Sequence, residues 1–386
     1  MARSSKPVRQ TPLRLLMARP TQARLNLDAL RHNVKLAQSL APQSRLMAVV
    51  KANAYGHGAL AMASALEPYS DAMAVACIEE ALELRESGIK APLLLLEGPF
   101  EPAELAVAAA NNFWLMIDNE RQLKWLEQAR LTAALHCWLK IDTGMHRLGF
   151  APQRCAELFH HLSNMPQHRG SPVLCTHFAS ADEVDPRGTE QQLACFASAC
   201  AGLKAERSAA NSPGLLAWPQ SHYEWVRPGY MLWGNSPFGS RSQVNADQLR
   251  PVMTLESAII SLRDVPSGSA VGYGGSWVAQ RPSRIATVAI GYGDGYPRNA
   301  MNGTPVLVKG QRAALAGRVS MDMITVDVSD IDAVNIGDPV TLWGEGLPIA
   351  EVAEHAATIG YELLTRMPLR TPRVVTGSST TGAPNN

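Results

Sequence analysis

The sequence predicts an α/β fold of strand–helix units, followed by a second, mainly antiparallel β domain. Three observations carry this reading. Short apolar runs alternate with helix-spaced segments through the first two thirds of the chain, turn residues multiply after about residue 245, and 386 residues exceed one compact core. Candidate strands are 46–50, 72–76, 93–96, 113–117, 135–141, 173–178 and 207–210, with a weaker one at 231–233. Between them lie segments such as that from Ile78 to Gly88, which has helical spacing and a glycine stop. Roughly eight such units over about 200 residues is what a parallel β/α barrel needs, and an open doubly wound sheet would show the same alternation. Further on, Pro266-Ser-Gly, Gly272-Tyr-Gly-Gly, Gly291-Tyr-Gly-Asp-Gly and Asn302-Gly separate the β-rich stretches 284–290, 305–309 and 324–328. The expected division is therefore 21–245 for the first domain and 246–375 for the second. Residues 1–20 read as a disordered extension and 376–386 as a flexible tail.

Composition narrows the class. Hydrophobic residues make up 46% and charged residues 18%, with 35 Lys plus Arg against 34 Asp plus Glu. That balance suits a soluble globular protein acting on a small molecule, with no nucleic-acid surface. The six cysteines form no C-x-x-C pair and sit mostly in apolar runs, so they read as core residues of a cytoplasmic protein, with no metal site. The basic start (Arg3, Lys6, Arg9, Arg14) lacks the apolar run of a secretory segment, and no stretch approaches a membrane span.

The first chemical candidate is Lys51, where an apolar strand ends and a Gly-rich turn begins. At the C-terminal mouth of a barrel such a lysine points into the pocket, and partial burial lets an amine condense with an aldehyde. Position alone equally fits a lysine leaving its strand for solvent.

The ordered set of motifs decides between them. Lys51-Ala-Asn-Ala-Tyr-Gly-His-Gly58 resembles the cofactor-lysine motif of bacterial alanine racemases. Further similar segments follow in the family's order: Lys140-Ile-Asp-Thr-Gly-Met-His-Arg-Leu-Gly149, Thr176-His-Phe-Ala179, Ala210-Asn-Ser212 and Trp225-Val-Arg-Pro-Gly229. In the second domain come Val271-Gly-Tyr-Gly274, Ile290-Gly-Tyr-Gly-Asp-Gly-Tyr296, Gly317-Arg-Val-Ser-Met-Asp322 and Tyr361-Glu-Leu-Leu, so the resemblance spans about Ala23 to Val375. It implies an eight-stranded β/α barrel plus a β domain, a homodimer, pyridoxal 5'-phosphate, and interconversion of L- and D-alanine.

Racemisation takes the α-proton from one face and returns a proton to the other, which two fixed bases achieve without motion across the ring. The resemblance assigns Lys51 to the D-alanine face and Tyr273, supplied by the partner subunit and oriented by His177, to the L-alanine face. A tyrosine ordinarily titrates near 10, so its phenolate must be stabilised. Arg227 matches an arginine at the pyridine nitrogen. Arginine, whose own pKa exceeds ~12, cannot protonate that nitrogen as a carboxylic acid would, which favours simple proton return over transamination.

The resemblance gives the phosphate contacts to Tyr55, Ser212, Gly229, Tyr230 and Tyr361. Pro213 removes one N–H, and Tyr230, where a small aliphatic residue is common, would contribute its backbone. Arg147 and the backbone N–H of Met321 match groups that hold the substrate carboxylate, with Asp322 beside them, and Tyr292 matches a tyrosine of the access corridor. Lys140 matches a lysine that is carbamylated in some relatives. Gly272 stands where part of the family has serine.

Other readings are weaker. Asp142-Thr-Gly144 fits the aspartic-protease signature, but the second D-T-G is missing and the strand–helix alternation conflicts. Basic amino-acid decarboxylases of the same architecture place an acid where Arg227 stands, and a cofactor carrier would lack the second domain. A racemase of broader substrate range is the closest alternative. Bulky residues near the corridor favour a methyl side chain.

Overall fold

The computed structural model describes residues 18–377. The expected extension and tail therefore lie largely outside the described residues. Their inner edges differ from expectation: Arg19 donates to the Asp294 carboxylate at 2.6 Å and to the Asp322 carbonyl at 2.9 Å, and Thr376 ends a strand. The buried Asp294 carboxylate needs a cation, and Arg19 supplies one beside Arg370, whose Nε lies 3.0 Å from its other oxygen.

The first strand, β1 (Gln22–Asn26), leads straight into the helix Leu27–Leu40, whose first N–H groups are capped by the Asn26 side chain. That helix buries Leu27, Leu30, Val34 and Ala37 at helical spacing. The barrel follows: β2 (Arg45–Val49), β3 (Ala72–Val75), β4 (Leu93–Leu95), β5 (Phe113–Ile117), β6 (His136–Lys140), β7 (Val173–Cys175), β8 (Arg207–Ser208) and β9 (Trp225–Val226). Every neighbouring pair is parallel, and β9 pairs with β2 to close the ring. Closure excludes the open-sheet alternative.

Alternation along each strand sorts the side chains. Met47, Val49, Ala74, Leu94, Met116 and Trp138 fill the interior, whereas Leu46, Ala48, Met73 and Leu139 face the helices. The strands are apolar on both faces because both are covered.

The weak strand expected at 231–233 is a 3-10 turn, Tyr230–Trp233, and the eighth strand is the two-residue β9. Pro228 and Gly229 end β9 at once, and the apolar run after them is buried on all sides, so it mimicked a strand.

The second domain is built on β10 (Met253–Val265), flanked by Ser283–Val288, Pro339–Trp343 and β1. All its ladders are antiparallel except β1 with Arg373–Thr376. β1, within the span expected for the first domain, pairs in the second sheet, and the chain passes into the barrel through the helix after it. Between Ala270–Val271 and Trp277–Val278 a small hairpin carries Tyr273 at its turn. Among the described residues no helix is long and apolar enough to cross a membrane, and no cluster of metal-ligating side chains occurs.

Candidate active site

The C-terminal ends of the barrel strands open into a cleft of about 650 Å³. Lys51 follows β2, Lys140 ends β6, His177 follows β7, Ser212 follows β8 and Arg227 follows β9, and all of them line this cleft. Tyr55, Arg147, Gly229, Tyr230 and Tyr361 line it too. Tyr361 comes from the second domain, on the short helix Gly360–Thr365.

Local geometry places these groups. Beyond Lys51 the backbone turns left-handed: Ala52, Asn53, Ala54 and Tyr55 have φ of 52°, 55°, 51° and 50°. In a non-glycine residue this conformation costs roughly 1–2 kcal/mol, so four in succession need outside support. Gly229 is small for a reason: a Cβ there would lie 2.6 Å from the Tyr55 hydroxyl. Ser212 Oγ accepts from the N–H groups of Gly229 (3.1 Å) and Met231 (3.2 Å), which leaves its own proton to donate. The Tyr230 ring lies stacked on Tyr361 at 3.6 Å between centroids, so its side chain supports Tyr361.

Arg227 is only 4% exposed, yet it makes no ion pair among the described residues. Its guanidinium donates to Ser208 Oγ (2.5 Å), the Thr176 carbonyl (2.7 Å) and the Ala209 carbonyl (3.3 Å). The terminal nitrogen that serves the two carbonyls also lies 3.4 Å from His177 Nδ1, and since a guanidinium can only donate, Nδ1 accepts. Burial, then Lys140, Arg227, Arg147 and Lys51, push His177 well below the usual histidine range. It is neutral at pH 7. Lys140 is pushed down to about 8, first by burial and then by Arg227 and Arg147, despite the opposing thiol of Cys175. Burial raises Tyr55 to about 12, and it raises Tyr361 well above the usual range. Both therefore remain protonated hydroxyls. Positive charge thus crowds a cleft whose neutral groups are donors, an arrangement made for an anionic ligand.

The remaining candidates do not join this cleft in the same chain. Tyr273 is 67% exposed and Met321 53% exposed, with Tyr292 also exposed. They share one face of the second domain. Tyr292 N–H donates to the Ser320 carbonyl and Gly293 N–H to that of Met321, and Gly272 packs against the Gly317–Arg318 backbone. Asp322 is held by Arg370, with Arg19 at 3.7 Å, and these cations keep its carboxyl below the usual range. Asp142, the aspartate of the D-T-G string, accepts from the N–H groups of Gly144, Met145 and His146, so it shapes the loop that carries Arg147. Ser208 was not singled out in the sequence, because nothing marks a buried serine on a two-residue strand as the anchor of an arginine.

The fold and cleft define a β/α-barrel enzyme whose mouth presents an amine among anion-binding donors. Comparison with known proteins gives the family. Residues 25–237 match the model of the alanine racemase N-terminal domain, and residues 252–375 that of the C-terminal domain. The chain is 52% identical over 357 residues to an alanine racemase of Chromohalobacter salexigens, covering 92% of this chain and 98% of the relative. Among solved structures it is similar to the biosynthetic alanine racemase from Pseudomonas aeruginosa, at 48% identity and a TM-score of 0.89 over 93% of this chain and all of that one (100%). It is also similar to the alanine racemase from Bartonella henselae with covalently bound pyridoxal phosphate, at 30% identity and a TM-score of 0.83, covering 92% and 99% of the two chains. The chain belongs to the alanine racemase family, and its activity is that of an isomerase acting on alanine.

Proposed function

We propose that the chain interconverts L- and D-alanine by a two-base mechanism with pyridoxal 5'-phosphate held in the barrel cleft. The observation that carries this is the convergence of Lys51, Tyr55, Ser212, Arg227 and Tyr361 on one cleft. The residues fit the cofactor: Lys51 has the amine for its aldehyde, and the Tyr55, Ser212 and Tyr361 hydroxyls beside Gly229 and the Tyr230 backbone suit a phosphate. Arg227, buried without a counter-ion, suits an uncharged ring nitrogen as acceptor. Bound there, pyridoxal phosphate supplies an electron-accepting ring that eases loss of the α-proton.

Lys51 Nζ moves the proton on the D-alanine face and Tyr273 Oη the one on the L-alanine face. Tyr273 is exposed and does not line its own chain's cleft, so we assign it to a second copy of the chain, where neutral His177 would orient it. The exposed face with Tyr273, Tyr292 and Met321 is the surface such a homodimer would cover. Arg147 and the Met321 N–H then hold the substrate carboxylate, while Asp322 fixes the loop through Arg370. Tyr292 borders the access corridor. Lys140, with its lowered proton affinity, is free to add carbon dioxide and lose a proton, giving a carbamate that would hold Arg147; an added mass of one carbon dioxide on intact protein would report it.

Enantiomers have equal free energy, so the same chemistry serves either peptidoglycan supply or alanine catabolism. We place the work in the cytoplasm, where the free cysteines stay reduced. Purified protein should show the absorbance of bound cofactor and lose it in Lys51→Ala. Protein that takes up no pyridoxal phosphate would overturn the proposal. Turnover of larger amino acids at the rate of alanine would instead favour a racemase of broader range.

A further inference from the structure

The left-handed turn after Lys51 is held from several sides. Within the turn, Asn53 Oδ1 accepts the Ala59 N–H at 2.7 Å. From the barrel helices, Glu80 accepts the Ala52 N–H (2.7 Å) with one oxygen and the Ala76 N–H (2.8 Å) with the other, tying the turn to the end of β3. From the second domain, Arg373 donates to the Gly56 carbonyl through Nε (3.1 Å) and a terminal nitrogen (2.9 Å).

The centre of this support is His57. It is 0% exposed, and its ring stacks on Trp233 at 4.8 Å. Its Nδ1 lies 3.0 Å from the Ala54 carbonyl and 2.9 Å from that of Tyr55, so Nδ1 carries the proton and donates to both. Nε2 is buried with no partner among the described residues. A buried imidazole that satisfies one nitrogen on two strained carbonyls and leaves the other unpaired is placed for the turn.

We propose that His57 is a positioning residue for Lys51: by bridging the Ala54 and Tyr55 carbonyls it locks the left-handed turn that aims the lysine amine into the cleft. Glu80 and Arg373 brace the same turn from its two sides. The inference rests on Lys51 being the cofactor-bearing base. A core histidine that only fills space would alter stability and leave the chemistry alone. A positioning residue alters where the amine sits, and a displacement of about 1 Å can cost on the order of 100-fold in rate.

The test compares His57→Leu, His57→Asn and Ala52→Gly in the purified enzyme with pyridoxal phosphate. His57→Leu should lower kcat by about 10- to 100-fold with KM within about threefold, and slow capture of pyridoxal phosphate, followed by absorbance, to a similar degree. His57→Asn, whose amide nitrogen can replace Nδ1, should recover most of both. Ala52 is exposed, and glycine adopts the left-handed conformation without strain. Ala52→Gly alone should be nearly silent, and added to His57→Leu it should restore at least about threefold of the lost kcat. A folded His57→Leu enzyme with wild-type kcat and capture rate would overturn the inference, as would the absence of any rescue by Ala52→Gly. Should His57→Leu fail to fold, Glu80→Ala carries the same test from the solvent side, with the same expected kcat loss and the same contrary result. Wild-type protein that captured no cofactor would remove the reading of Lys51 itself, an outcome distinct from either.

Discussion

The barrel mouth and the outer face of the second domain are built to opposite standards. At the mouth, the polar groups are gripped: Arg227 by three oxygen acceptors, Ser212 by two backbone N–H groups, and Tyr361 by the Tyr230 ring beneath it. On the face of the second domain, Tyr273 stands on a hairpin turn between glycines, open to solvent. The mouth is a finished half-site. The hairpin presents a group outside its own chain's cleft, and on the proposed reading a second copy would supply the missing geometry. One strand-end lysine fixed inside and one tyrosine displayed outside is what a shared two-base site requires of a single chain.

The contrast breaks most sharply at Lys51. Lys51→Ala should lower racemisation by roughly 10³- to 10⁴-fold, since both a base and the cofactor's amine are lost, as steady-state assays in both directions would show. Tyr273→Phe sharpens it. Deuterium exchange from solvent into Cα of L-alanine should fall by about 10²- to 10³-fold, while exchange into D-alanine, served by Lys51, persists; equal loss from both enantiomers would contradict the assignment of faces. Arg227→Leu tests how firmly the mouth is held. It takes a donor from the Thr176 and Ala209 carbonyls and from Ser208 Oγ, which keeps its own bond to the Trp225 carbonyl, so the urea midpoint should drop by an amount equal to about 1–3 kcal/mol, with weaker cofactor retention.

An effect on stability alone is expected at the opposite end of the barrel from the mouth, at His168. Burial first, then His136, push its imidazole from 6.5 down to about 4. The folded protein therefore takes up this proton less readily than the unfolded chain. The associated stability is whole above about pH 6.5 and is lost as pH falls towards 4, by about 3 kcal/mol at most. In His168→Gln the urea midpoint should change less between about pH 7 and pH 5 than in the wild type; an identical slope would remove His168 from the account.

Much of the mouth was legible in the sequence because strand-end residues are fixed by the barrel. Once the apolar run 46–50 is a strand, Lys51 must lie at its end, and the same holds for Lys140 after the run at 135. The two-residue β9 carries too few side chains to show a period, whereas the buried run after it has the apolar pattern of a strand. β1 left no sign in the sequence because its pairing partners, more than 200 residues away, leave no local mark. The position of Tyr273 was legible only through resemblance: a tyrosine between glycines says turn, and nothing in its neighbours says whose cleft it enters. Ser208 and the Tyr230 ring act through packing, which no motif encodes.

Mixing Lys51→Ala with Tyr273→Phe chains, unfolded and refolded together, tests the shared site most directly. In a mixed pair one site receives an intact lysine from one chain and an intact tyrosine from the other. With random pairing, about a quarter of the wild-type activity should return, because half of the pairs are mixed and each has one whole site. No recovery in confirmed mixed pairs would contradict it, placing both bases of each site in a single chain.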